Sequence, residues 1–122
     1  MATVLLVEDR ARLRDATAAL LTAAGHEVEC ARNGREALER YPRLLPDLVL
    51  VDLFMPVMNG FDTIYLLHLE YPDALVVAMG DAGDAFGEGA LDEALDLGAE
   101  CAVAKPLRRR VLLEMIDELL AS

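Results

Sequence analysis

The sequence predicts an α/β domain built on a five-stranded parallel sheet, and three observations support this class. Short, nearly continuous apolar runs alternate with longer stretches in which apolar residues recur at helical spacing. Continuous apolar runs are typical of parallel strands that helices cover on both faces. The 122 residues suit one domain and contain no linker, repeat or low-complexity tract, so we expect a single domain over residues 1–122.

Five runs have the length and composition of strands. Four are almost entirely apolar, whereas the second alternates apolar and polar residues and therefore suits an edge of the sheet. In chain order the expected strands are Thr3–Glu8, Glu27–Cys30, Leu48–Asp52, Ala74–Met79 and Cys101–Lys105.

A helical pattern follows each strand. The expected helices run from Leu13 to Ala24 before Gly25, from Ala37 to a stop before Pro42, from Phe61 to a stop before Pro72, from near Gly89 to Gly98, and from Val111 to the C-terminus. The third has more apolar residues than one core-facing stripe needs, which leaves open either extra burial or an exposed contact surface.

Strands that alternate with helices form parallel sheets with right-handed crossovers. For five strands we expect the doubly wound, flavodoxin-like order 2-1-3-4-5, which makes the first and third strands neighbours. Ligands bind such sheets beyond the carboxyl ends of the strands, so the residues that end each strand are the candidates for a site.

Composition narrows the class of partner. The chain has 22 acidic and 11 basic residues, for a formal net charge of −11. This charge disfavours nucleic acid or an anionic membrane as the main partner. No apolar run approaches a membrane span and the N-terminus does not read as a signal peptide, so we expect a cytoplasmic protein.

The cysteines and histidines suggest no further site. Cys30 and Cys101 lack metal-binding spacing, and buried thiols in a reducing compartment are favoured over a disulfide. His26 and His68 have no partner at metal spacing, and we expect both on the surface.

Charged residues follow three of the apolar strands. Glu8 and Asp9 end the first strand, Asp52 ends the third and Lys105 ends the fifth. Acidic residues at a strand end often serve only to cap the next helix, but capping does not predict convergence of all four at one edge. Carboxylates held close together repel one another unless a cation joins them, and Mg²⁺ prefers such oxygen ligands.

A carboxylate beside a divalent cation and a lysine can attack phosphorus and form an aspartyl phosphate. Asp52 is the best nucleophile because it lies in the middle of the predicted cluster. The first loop lacks the glycines or hydroxyls of a nucleotide-binding site, and no P-loop, GxSxG or HExxH pattern is present.

These features resemble the response-regulator receiver domains of two-component signalling. The resemblance covers the whole chain and rests on VLLVED, LVLVDLFMPVMNG and AVAKP. It implies that Asp52 accepts a phosphoryl group from a histidine kinase or phosphotransfer protein, and that Lys105 binds that group. It also implies a Mg²⁺ (or Mn²⁺) site at Asp9, Asp52, the backbone carbonyl of Phe54 and, through water, Glu8. The Lys105–Pro106 bond is a candidate for the cis form.

Two positions depart from the family pattern. Gly80 stands where the family usually has Ser or Thr, and Ala102 stands where it often has Tyr or Phe. The phosphorylation residues are therefore present, whereas the usual switch residues are degenerate.

The departures leave more than one function open. The first is a receiver that signals by changed partner binding, with the face of helix 4, strand 5 and helix 5 as a candidate surface for an unknown downstream protein. The second is a pseudo-receiver that binds its partner whatever the state of Asp52. A metal-dependent phosphatase is disfavoured because VEDR lacks the DxD such enzymes need, so we expect no enzyme activity beyond self-phosphorylation and self-dephosphorylation.

Two further segments, one rich in glycine and one basic, allow predictions. GDAGDAFGEG has four glycines, which suggests a mobile loop before the fourth helix, although a compact turn is an alternative. Residues 108–110, RRR, open the last helix as either a partner contact or a solvated face.

Overall fold

The computed structural model describes residues 1–81 and 89–121, with Asp81 described in its backbone alone. In these residues five parallel strands alternate with five helices. The strands are β1 (Thr3–Val7), β2 (Glu27–Ala31), β3 (Leu48–Asp52), β4 (Val76–Asp81) and β5 (Cys101–Lys105). The helices are α1 (Ala11–Ala23), α2 (Gly34–Leu44), α3 (Gly60–Glu70), α4 (Ala90–Asp96) and α5 (Arg109–Ala121).

The sheet has the predicted order β2-β1-β3-β4-β5, with every pair parallel. A hydrophobic cluster lies on each face of the sheet. One cluster joins the sheet to α2, α3 and α4, and the other joins it to α1 and α5. β3 is buried at every residue, whereas β2 alternates between exposed and buried side chains, which confirms its place at an edge.

The end of the second helix differs from the prediction. α2 continues through Pro42 to Leu44 and closes with a hydrogen bond from the N–H of Leu45 to the carbonyl oxygen of Tyr41 (2.8 Å). Tyr41 is buried and Leu44 packs against the same core, so tertiary packing holds a last turn that the proline alone disfavours. The expected stop before Pro42 is wrong.

The histidines also differ from the prediction. His26 is buried, and its Nδ1 accepts a hydrogen bond from the N–H of Ala2 (3.2 Å). His68 is half-buried, with Nε2 lying 2.9 Å from the carbonyl oxygen of Ala74. A backbone partner satisfies one nitrogen of each ring, whereas Nδ1 of His68 is buried without a partner among the described residues. Spacing along the sequence reveals neither contact. Cys30 and Cys101 are free thiols, both half-buried.

The surplus apolar residues of α3 divide between core and surface. Ile64 and Leu67 are buried, while Tyr65 and Leu69 are 52% and 62% exposed. An exposed apolar strip therefore remains on this helix. The expected start of α4 after Gly89 is confirmed, but the mobility expected of the glycine-rich loop concerns residues 82–88, outside the described residues.

The connection from β3 to α3 depends on Gly60. A Cβ atom at this position would lie 2.4 Å from the carbonyl oxygen of Asp52 and 2.6 Å from Cα of Leu53. The N–H of Gly60 donates to the carbonyl oxygen of Leu53 (2.9 Å), and Asn59 caps α3 by accepting from the N–H of Asp62 (2.9 Å). Only glycine lets the helix start this close to the end of β3.

We expect Gly60→Ala to lower the free energy of unfolding by about 3 kcal/mol, because the new methyl group meets backbone atoms that cannot move aside. Gly89→Ala is the matched control, since a Cβ there meets nothing within 4 Å. It should change stability by less than about 1 kcal/mol. Urea unfolding of the two variants measures the difference, and equal stabilities would contradict the role given to Gly60.

Candidate functional site

The strand ends bring four charged side chains to one edge of the sheet. Val7 of β1 pairs with Val51 of β3, so Glu8 and Asp52 are neighbours as each strand ends. Glu8, Asp9 and Asp52 each present a carboxylate oxygen, and these oxygens lie within 4.8 Å of one another. Lys105 reaches the same cluster from β5, at the other side of β4.

Lys105 provides the counter-charge for the two deepest carboxylates. Its Nζ lies 2.9 Å from Oε1 of Glu8 and 3.3 Å from Oδ1 of Asp52. Glu8 and Asp52 are each 1% exposed. Burying an ion pair costs desolvation, and losing one partner of a buried pair leaves an expensive unpaired charge. The site thus depends on a lysine almost one hundred residues from Glu8 in sequence.

The pKa values reflect crowding of negative charge. Burial and the nearby Glu8 carboxylate raise the pKa of Asp52 to about 6, although Lys105 opposes the shift. Burial also acts to raise the pKa of Glu8, but the hydrogen bond and charge of Lys105 outweigh it and lower that pKa. Burial and Glu8 raise the pKa of Asp9. A further positive charge at this place would lower the pKa of both Asp9 and Asp52.

Two carboxylate oxygens are buried without a hydrogen-bond partner among the described residues, Oδ1 of Asp9 and Oδ2 of Asp52. Buried polar atoms without partners are rare, and each calls for an explanation. Oxygen ligands of high negative charge suit Mg²⁺, which keeps several waters and takes few carboxylates. The residues therefore fit a divalent cation held by Asp9 and Asp52, with Glu8 beside it.

Sequence reasoning missed two arginines that support the cluster. Nη1 of Arg14 donates to the carbonyl oxygens of Glu8 (3.2 Å) and Asp9 (3.4 Å), which fixes the backbone of the first loop. The N–H of Arg10 donates to Oε2 of Glu8 (3.3 Å). The sequence signal for this support was that Arg10 follows the acidic pair directly and Arg14 comes four residues later. Helix periodicity alone assigns such arginines to a solvated face.

The loop after Asp52 contains a strained residue. Val57 has a φ of 70° and is 77% exposed, and the N–H of Met58 donates across it to the carbonyl oxygen of Pro56 (2.7 Å). A β-branched residue at positive φ is strained. Hydrogen bonds at both ends of the loop, from Gly34 to Met58 and from Gly60 to Leu53, hold this conformation.

The Lys105–Pro106 bond is cis, as predicted.

The two residues that depart from the family pattern, Gly80 and Ala102, lie in different surroundings. Gly80 lies near the end of β4 and pairs with Ala104, next to Lys105. Ala102 is half-buried in β5 and packs against the core shared by α2, α3 and α4. The backbone carbonyl of Phe54 as a metal ligand stays a prediction.

The chain is similar to known proteins in its sequence and in its fold. The profile of the family described as "Response regulator receiver domain" matches residues 4–117. This chain belongs to that family. Chemotaxis protein CheY of Thermotoga maritima is 35% identical over 116 residues, which cover 94% of each chain.

Two further likenesses concern the fold and the extent of the match. A crystal structure of a CheY-like receiver domain protein from Methanospirillum hungatei superposes with a TM-score of 0.89 at 27% identity, covering 99% of this chain and 94% of that one. The protein-glutamate methylesterase/protein-glutamine glutaminase of Bacillus licheniformis is 40% identical over 109 residues, but these are 30% of its length. The likeness to this chain is thus confined to one part of that larger protein.

We expect Asp52→Asn to raise the free energy of unfolding by roughly 1–2 kcal/mol near neutral pH without divalent cations. The pKa of Asp52 in the folded protein, about 6, lies above its value of about 3.9 in an unfolded chain. The wild-type carboxyl therefore stabilises the fold at low pH, and this contribution is lost as the pH rises through about 6.

Urea unfolding in EDTA at a series of pH values measures this effect. The advantage of Asp52→Asn should shrink as the pH falls toward the value at which the unfolded aspartate titrates. Asp15→Asn, at an exposed position on α1, is the control and should show no such trend. An advantage of Asp52→Asn that does not vary with pH would contradict the assignment.

Proposed function

We propose that this receiver domain is a phosphoacceptor: Asp52 takes a phosphoryl group from the phosphohistidine of a histidine kinase or phosphotransfer protein. The observation that carries the proposal is the unpartnered Oδ2 of Asp52, buried beside Lys105 and two further carboxylates. We also propose that residues 1–122 act as one receiver unit in the cytoplasm, where ATP-dependent kinases make phosphohistidine.

The chemistry follows from the two oxygens of Asp52. Oδ1 is held by the N–H of Phe54 (3.2 Å) and by Lys105, so Oδ2 is the oxygen available to attack phosphorus. The O–P bond forms as the N–P bond of phosphohistidine breaks, and its electron pair returns to the imidazole nitrogen. Since the pKa of Asp52 is about 6, the attacking carboxylate is ionised at neutral pH.

Lys105 offsets negative charge on the phosphoryl oxygens during transfer, because it already lies between Glu8 and Asp52. Asp9 and Asp52, with the carbonyl of Phe54 and with Glu8 through water, would hold Mg²⁺ or Mn²⁺. A bound divalent cation supplies further positive charge for the transferring group. We propose no catalysis beyond formation and hydrolysis of this protein's own aspartyl phosphate.

A groove beside the site supports approach of the donor from one side. About 430 Å³ in volume, it lies between α1 and the segment that follows β5, and its lining includes Arg10, Leu13, Lys105 and Leu107. Seven of the eleven basic residues lie within residues 10–14 and 105–110, and two of them, Arg10 and Lys105, line this groove. A phosphohistidine is anionic, and positive charge of this kind favours its approach.

A downstream partner is proposed to bind the face formed by α4, β5 and α5. Leu95 of α4 and Val111 of α5 are 43% and 49% exposed, and apolar side chains in such positions suit protein contacts.

None of the helices in the described residues has the length and apolar character of a membrane span.

The second candidate function is a pseudo-receiver, favoured by Gly80 and Ala102. Without a hydroxyl at Gly80, no side chain of β4 can donate to a phosphoryl oxygen there. Binding of a partner would then be independent of Asp52.

Phosphoryl uptake distinguishes the two functions. With Mg²⁺ and acetyl phosphate, the intact mass of the wild-type protein should rise by one phosphoryl group, and omission of Mg²⁺ should prevent this. Asp52→Asn should lose the uptake completely because it lacks the attacking carboxylate, whereas Asp15→Asn should retain it.

Wild-type protein that takes up no phosphoryl group, with a circular dichroism spectrum showing that it is folded, would support the pseudo-receiver instead. Uptake that persists in Asp52→Asn would show that another residue is the acceptor. Turnover of a separate phosphoester would contradict the restriction to its own aspartyl phosphate.

A further inference from the structure

The space beside Gly80 is filled by apolar side chains from two other elements. A Cβ atom at Gly80 would lie 3.2 Å from Cδ2 of Leu91, 3.3 Å from Cδ1 of Leu53 and 3.5 Å from Cε2 of Phe54. A methyl group at position 80 would therefore press on Leu91 and Leu53 and would make an ordinary van der Waals contact with the ring of Phe54. Leu91 is in the first turn of α4, so this helix rests on β4 next to the site.

Phe54 connects this apolar contact to Asp52. Its N–H donates to Oδ1 of Asp52 (3.2 Å), the oxygen that also faces Nζ of Lys105 (3.3 Å). Its ring lies beside Gly80 and meets the ring of Phe61 in α3 edge to face, with the ring centres 5.9 Å apart. Phe54 therefore contacts the acceptor through its backbone, and its ring lies against the start of α3 and near the end of β4.

Phosphorylation changes the hydrogen bond that Phe54 makes. When Oδ2 bonds to phosphorus, Oδ1 becomes the carbonyl oxygen of an acyl phosphate and loses most of its negative charge. Hydrogen bonds to a charged acceptor are about twice as strong as those to a neutral one, so the bond from Phe54 weakens. The new phosphoryl oxygens also compete for Lys105, which forms an ion pair with Oδ1.

We propose that Phe54 and Leu91 transmit the phosphorylation state of Asp52 to the first turn of α4, through their packing at Gly80. The proposal rests on the phosphoacceptor function and names how that site is coupled to a surface. The side chains at Gly80 and Ala102 are too small to carry the change themselves. Glycine at position 80 favours the coupling, because a methyl group there would press on Leu91 while Phe54 packs at the same point of β4.

The test uses ¹⁵N-labelled protein with Mg²⁺ and beryllofluoride, which mimics a phosphoryl group on aspartate. In the wild type, the amide signals of Phe54, Lys105 and the residues of α4 should shift together. In Leu91→Ala, the signals of Phe54 and Lys105 should still shift, while those of Ala94 and Leu95 should lose most of their shift. Leu95→Ala removes an exposed leucine of the same helix and should keep the α4 response at Ala94.

Gly80→Ala provides a second variant that removes no apolar contact. Its methyl group would press on Leu91 and Leu53, so the α4 signals should be displaced before beryllofluoride is added and should shift less on its addition. Circular dichroism establishes that each variant is folded. If Leu91→Ala unfolds, Gly80→Ala alone decides the question.

The possible failures are distinguishable. An α4 response that is unchanged in Leu91→Ala and Gly80→Ala would overturn the coupling and leave the phosphoacceptor function intact. Shifts at Lys105 with no response of α4 in the wild type would do the same. Absence of any shift at Phe54 and Lys105 in the wild type would overturn the phosphoacceptor function instead, and the coupling with it.

Discussion

The ammonium group of Lys105 lies between two carboxylates that are almost completely buried, and the rest of the site depends on this contact. Without it, Glu8 and Asp52 would face each other in a low-dielectric environment with no counter-charge. The contact joins residues at the ends of β1, β3 and β5, and β4 lies between the last two. The acidic cluster is therefore neutralised by Lys105 only when β1, β3 and β5 are assembled in the sheet.

A parallel sheet makes that arrangement possible with little additional machinery. All five strands end on the same side, so residues that are distant in sequence meet without a long loop. Gly60 then lets the start of α3 lie against the backbone of Asp52 and Leu53, although seven residues separate β3 from α3 in sequence. The same turn holds Val57 at a positive φ, so the close approach is made at the cost of local strain.

The features that were predictable from sequence are those fixed by pattern along the chain. Alternation in β2 revealed an edge strand, and the strand-end rule placed Glu8, Asp52 and Lys105 together. The predicted end of α2 before Pro42 was wrong because the packing of Tyr41 and Leu44 against the core overrides the tendency of proline to end a helix.

Other features depend on contacts in space. The hydrogen bonds of Arg14 to the first loop and of His26 to Ala2 join backbone groups whose proximity no spacing encodes. The filling of the space beside Gly80 by Leu53, Phe54 and Leu91 is of the same kind, because the sequence shows only that a side chain is missing there.

The concentration of basic residues along the groove gives the molecule an uneven charge distribution. Its net charge is −11, yet seven of its eleven basic residues lie within two short segments of sequence, and Arg10 and Lys105 of these segments line the groove. The field of these two basic side chains acts on an approaching anion before contact and turns the groove toward it. Mobile ions shorten the range of this field to about 10 Å at 0.1 M ionic strength. The orientation of the molecule during an encounter is thus a property of the solution as well as of the fold.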